Sequence, residues 1–146
     1  MNHARHAIRE ALVAALAAGG TAAGSRVHDH PADVRIAWPA LVVEDIGERQ
    51  DAPTLPGGAD RQIHRRYEVE VTVELQQVSG YARLRDQVLA DVERIAVTAS
   101  LPGVKYIVPA QYMPDMSTAG ERPIVIGRQR FEIFYITTQG DPATTF

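Results

Sequence analysis

Residues Tyr67 to Leu75 read Y-E-V-E-V-T-V-E-L. Side chains alternate across a strand, so Tyr67, Val69, Val71, Val73 and Leu75 share one face, and Glu68, Glu70, Thr72 and Glu74 the other. Alternation this regular predicts a sheet with one face on the core and the other turned to water, salt bridges or a partner. A carboxylate-rich outer face on a small domain points first to binding or assembly. The strand can begin as early as Gln62, which makes it unusually long.

Outward from this strand, residues 3 to 18 set Ile8, Leu12 and Leu16, with Ala15 beside them, along one stripe of an Ala-rich helix that Gly19 and Gly20 stop. Ser25 to His28 reads as extended, and His30-Pro31-Ala32-Asp33 as a turn. Val34 to Glu44 reads as a strand whose Pro39 belongs at an edge or bulge, because proline cannot donate to a ladder. Residues 45–60 hold Gly47, Pro53, Pro56, Gly57 and Gly58 without periodicity and predict a long, flexible loop. Beyond the acidic strand, residues 81 to 97 carry Leu84, Val88, Val92 and Ile95 on one helical stripe, with Ser79 as N-cap and Leu101-Pro102-Gly103 after it. Val104 to Val108 predicts a strand interrupted at Pro109. Residues 114–123 predict a second flexible loop, Ile124 to Thr138 a last strand with Phe131, Ile133 and Tyr135 on one face, and residues 140–146 a frayed tail. The sum is a single α+β domain over residues 1–146: a largely antiparallel or mixed sheet with two main helices packed on one face.

Composition narrows the chemistry. The chain has 146 residues, enough for one core, and no cysteine, so disulfides and thiolate chemistry are excluded and a reducing cytoplasm is expected. Arg5 and Arg9 ahead of the Ala-rich run give a superficial likeness to a signal peptide, but the short, interrupted, helix-patterned run reads as a folded helix. No apolar run reaches the roughly 20 residues of a membrane helix, so no membrane partner is expected. The net charge of −3 argues against a general nucleic-acid binder.

Candidate sites are few. His28-Asp29-His30 with Asp33 could supply metal ligands or could be a polar corner, and no third ligand pattern favours the metal. Glu68, Glu70 and Glu74 lack the unequal surroundings that split an acid/base pair, so a solvated or partner-facing strand is favoured. No nucleophile elbow, P-loop or dinucleotide fingerprint occurs, which predicts no catalytic residues, no cofactor and no enzyme. Arg61, Arg65 and Arg66 with His64 form the one basic cluster, readable as an anion contact or as partners of the neighbouring glutamates. Arg128 and Arg130, if their strand adjoins the acidic one, predict cross-strand Glu-Arg pairs.

Taken together, the N-terminal helix, the R-V-x-D and W-P-A-L-V-V segments, the long R-R-Y-E-V-E-V-T-V-E-L strand, the L-R-D-Q-V-L-A-D-V helix and the final R-Q-R-F-E-I-F-Y strand resemble the tail terminator proteins of long-tailed, siphovirus-type bacteriophages, the lambda minor tail protein U-like family. The resemblance spans nearly the whole chain and is one of layout, with no catalytic signature. It implies a homo-hexameric ring that caps the tail tube, stops its polymerisation and docks the head, with DNA passing through the lumen without specific binding. The implied partners are the chain itself, the tail tube protein and a head completion or connector protein; the implied location is the head-proximal end of the virion tail, and the host cytoplasm during assembly. Glu68, Glu70, Glu74, Arg128, Arg130, Arg61 and Arg65 are the expected assembly-interface or lumen residues, with the acidic strand face as one surface. The alternatives are a head-side connector or closure (neck) protein of the same particle, or a small metal-binding enzyme using the His28-Asp29-His30 corner.

Overall fold

The structure, a computed structural model, describes residues 2–29, 37–52, 61–76, 79–117 and 124–146. Helix α1 spans Ala4–Ala18, and two residues, Val27–His28, form β1. Then come β2, Ala40–Asp51, and β3, Gln62–Gln76, followed by α2, Tyr81–Thr98. The last elements are β4, Val104–Ser117, β5, Ile124–Thr138, and β6, Asp141–Thr145. They build an α+β domain around one six-stranded mixed sheet, ordered β1-β2-β3-β5-β4 with β6 pairing β5. Among the described residues, only β1 and β2 run parallel.

The period-2 reading of the central strand holds. Tyr67, Val69, Val71, Val73 and Leu75 are all buried, and Phe131, Ile133 and Tyr135 of β5 lie in the same cluster. The stripes Ile8, Leu12, Leu16 of α1 and Val88, Val92, Ile95 of α2 complete it, so both helices cover one face of the sheet. Gly19, just past α1, allows this contact: a Cβ there would sit 2.9 Å from Ile95 Cγ1.

Four expectations change. Residues 45–51 are strand, not loop: β2 runs to Asp51, paired with β3 as far as Asp51↔His64, through a bulge between Asp45 and Gly47. The bulge hides the strand from a periodicity count, because it breaks the alternation that marks one. Residues 53–60 of that expected loop lie outside the described residues. At its front, β2 begins at Ala40, with Ala37, Trp38 and Pro39 before it, and residues 34–36 lie outside the described ones. Second, Pro114 to Ser117 extend β4, which passes through Pro109 with only a register shift to Gln111; the rest of the expected 114–123 loop, residues 118–123, is outside the described residues. Proline fits there because β4 is an edge strand, whose outward positions need no ladder donor. Third, the 140–146 tail is not frayed: β6 pairs β5 through Thr137↔Thr145, and Phe146 N donates to Ile136 O at 3.0 Å. Fourth, α2 is capped by Gly80 at φ 82°, with no side-chain cap bond, in place of Ser79.

Gly103, between α2 and β4, has φ +69°, and a Cβ there would lie 2.6 Å from Thr145 Cβ. Gly103→Ala therefore meets both the left-handed penalty of about 1–2 kcal/mol and a steric clash with β6. We expect a loss of at least about 2 kcal/mol in denaturant unfolding; unchanged stability would contradict the tight β6 packing.

Candidate functional site

The bulge in β2 has a consequence at the end of the core. It places Asp45 opposite Val69 and Glu48 opposite Tyr67, so two carboxylates three residues apart both turn toward the helices. Arg5 and Arg9, one turn apart on α1, reach down to them: Arg5 Nη1 donates to Glu48 Oε2 at 2.6 Å and Arg9 Nη1 to Asp45 Oδ2 at 2.6 Å. Tyr67 donates its hydroxyl to Asp45, and Tyr135 its hydroxyl to Glu48. Arg65 completes the set, donating to Glu48 Oε2 at 3.0 Å and to Thr137 Oγ1 at 2.8 Å. The Glu48 side chain is 4% exposed and that of Arg65 10%. Nothing in the sequence foretold this network; Asp45 and Glu48 fell inside an expected loop, and Arg5 and Arg9 read only as the basic residues ahead of an Ala-rich run.

Each group's titration follows from its neighbours. Burial alone would raise both carboxyls, but hydrogen bonds from Tyr67 and Arg9, with the Arg9 and Arg5 charges, hold Asp45 below its usual range. Bonds from Gln50, Tyr135 and Arg65, with the Arg5 charge, do the same for Glu48. Burial first, then bonding to the carboxylates, pushes Tyr67 and Tyr135 well above the ordinary phenol range. His3 is lowered by burial and by the Arg5 and Arg65 charges. The depressed carboxyls stabilise the fold above about pH 4, and that contribution is lost as pH falls through their folded values; His3 adds a loss that starts below about pH 6.5. The raised tyrosines stabilise it below about pH 10, and that contribution is lost as pH rises further. Melting temperature should thus be flat from about pH 7 to 10 and fall on both sides. A melting temperature unchanged up to pH 12 would contradict the tyrosine assignments.

The outer face of the sheet differs from its expectation. Glu70 and Thr72 are each only 7% exposed, and Ala40 and Val42, which pair with Glu74 and Thr72, are buried. Register explains the first pair: Glu70 lies opposite Arg130 and Thr72 opposite Arg128. Arg130 Nε donates to Glu70 Oε2 at 2.9 Å, Arg128 Nε lies 3.7 Å from Glu70 Oε1, and Arg128 Nη1 donates to Asp115 Oδ2 at 3.0 Å. The cross-strand Glu-Arg pairs are present, and the expected uncovered acidic face is instead a mixed-charge lattice in which Arg128 and Arg130 both approach the Glu70 carboxylate. Glu68 pairs Glu132, which Arg66 approaches at 3.9 Å.

Of the seven expected interface residues, Glu68, Glu70, Glu74, Arg128 and Arg130 thus share this face. Arg65 does not: it points to the helix side and is taken up by Glu48. Arg61 precedes β3 and accepts from Gln139 N at 2.7 Å. Of the histidine corner, His28 lies in β1, whereas His30 and Asp33 are outside the described residues. Among the described residues no group of three His, Cys, Asp or Glu side chains is placed to hold a metal ion, and no helix is long and apolar enough to cross a membrane.

No protein-family model and no curated protein matches the chain. Among solved structures, a chain from a structure described as "Virion of native gene transfer agent (GTA) particle" is similar, with a TM-score of 0.53 and 15% sequence identity. The match covers 90% of this chain and 97% of that one. This likeness shows that the two chains have a fold in common, nearly end to end.

Proposed function

We propose that this chain is a structural, non-enzymatic component of a phage-like particle, and within it a tail terminator: a ring that caps the tail tube, halts its polymerisation and receives the head. The observation that carries the reading is the near end-to-end fold likeness to a virion chain, which agrees with the layout resemblance of the sequence. A ring closes through heterologous contacts, so each subunit must present two unlike surfaces. The outer sheet face with Glu68, Glu70, Glu74, Arg128 and Arg130 supplies one. The other is the β4 edge, where Tyr112 is 41% exposed and which no strand pairs among the described residues. In this reading six copies assemble, the tail tube protein and a head completion protein are the partners, and DNA passes without specific binding.

The test is to add purified protein to polymerising tail tube protein and score tube lengths by electron microscopy. Shorter tubes carrying a ring at one end are expected. Unchanged lengths with bare ends would overturn the terminator reading, and binding to filled heads in place of tubes would move the protein to the head-side connector.

A further inference from the structure

We propose that the same sheet face carries, at the end where β2 leaves for β3, a stacking site for single-stranded nucleic acid. The inference goes beyond the tail reading and does not depend on it. Four strands lay a transverse row there: Arg49 of β2 opposite Arg66 of β3, Arg66 opposite Phe134 of β5, and Phe134 opposite Tyr106 of β4. The row lines a groove of about 670 Å³, with Lys105 beside it. Tyr106 stacks on Phe134 with ring centroids 4.1 Å apart and planes 20° from parallel. The Arg66 guanidinium carbon lies 4.9 Å from the same ring's centroid. Phe134 is thus flanked on both sides, while Tyr106, 53% exposed, keeps ring surface open to the groove.

Two features call for an anionic, planar ligand. Arg49 and Arg66 are like charges directly opposite on neighbouring strands, an arrangement that costs stability until an anion lies between them. The carboxylates at hand answer them weakly: Glu132 stands 3.9 Å from Arg66, and Asp51 also lines the groove. The other arginine bordering it, Arg65, is bound to Glu48 on the helix side. Guanidinium groups match phosphate geometry, and an exposed aromatic ring beside cations is the platform on which successive bases stack. A duplex keeps its bases stacked on each other and would use only the cations, and an acidic peptide would leave the Tyr106 ring without its natural partner. Cations and open ring together therefore favour a single strand, bound without sequence preference.

The probe is a fluorescently labelled single-stranded DNA of about 16 nucleotides, titrated with the full chain in parallel with the matching duplex, at low and high salt. The single strand should bind more tightly than the duplex and weaken as salt rises. Tyr106→Leu should reduce single-strand affinity about tenfold, and Arg49→Glu with Lys105→Glu should abolish binding. All three are solvent-exposed strand positions, and a thermal melt of each variant, run beside the titration, separates lost binding from lost folding. No binding at low salt, equal affinity for the duplex, or affinity unmoved by both variants would overturn the proposal. So would self-association lost in the double variant without any DNA binding, which would assign the row to a contact between copies.

Discussion

Glu48→Ala should destabilise the protein by about 3–5 kcal/mol, lowering its melting temperature by about 10 °C. The size follows from what the substitution leaves behind. Glu48 accepts from Arg5, Arg65, Gln50 and Tyr135 in a position where its side chain is 4% exposed. Without it the Arg65 guanidinium, whose side chain is 10% exposed, keeps only Thr137 as an acceptor among the described residues, and a buried cation without its counter-charge is among the costlier defects a fold can carry. Glu48→Gln, which still offers Tyr135 an acceptor, should cost less. The defect is also electrostatic, so it must depend on pH. In acid, as Glu48 takes up its proton, the native protein loses the same ion pairs and the gap between the two proteins should narrow. A gap that stays constant into acid would mean that the loss is one of packing.

Phe131→Ala should be as damaging, again about 3–5 kcal/mol, for a different reason. Phe131 is fully buried at the middle of β5, between Val69 of β3 and Pro109 of β4, within the core cluster that the two helices complete. Strands held in a ladder on both sides cannot collapse into the space that the ring leaves, so most of the cavity term persists. No charge is involved, and this loss should be the same at pH 4 and pH 8. Denaturant unfolding of both variants across that range separates the two mechanisms. A Phe131→Ala loss below about 1.5 kcal/mol would mean that the centre of the sheet repacks freely.

The fold was legible wherever a period survived intact. The alternation from Tyr67 to Leu75 and the stripes of the two helices fixed the sheet face and what covers it, because side-chain direction in a regular element depends on spacing alone. It failed where one residue broke the period: the bulge at Asp45 and Gly47 turned half of β2 into an apparent loop, and with it hid the half-exposed Asp45 and the buried Glu48, the acceptors of the network under α1. The short β6 carried no pattern at all, since its place depends on a glycine turn at Gly140 and on pairing with a strand already formed. On the outer face the cross-strand Glu-Arg pairs expected if the last strand adjoined the acidic one are present, but strand alternation alone could not say which arginine each glutamate meets or that Glu70 is buried; the register with β5 sets Arg130 across from it. The basic cluster of Arg61, Arg65 and Arg66 divided in the same way. Alternation sends Arg65 to the helix side and Arg66 to the outer face, where it meets Arg49 and Phe134 from strands distant in sequence.

Deleting the gene from its parent phage or prophage and imaging the resulting particles tests the central claim most directly. The account predicts overlong tail tubes without heads, because nothing would stop polymerisation or receive the capsid. Intact infectious virions would contradict it.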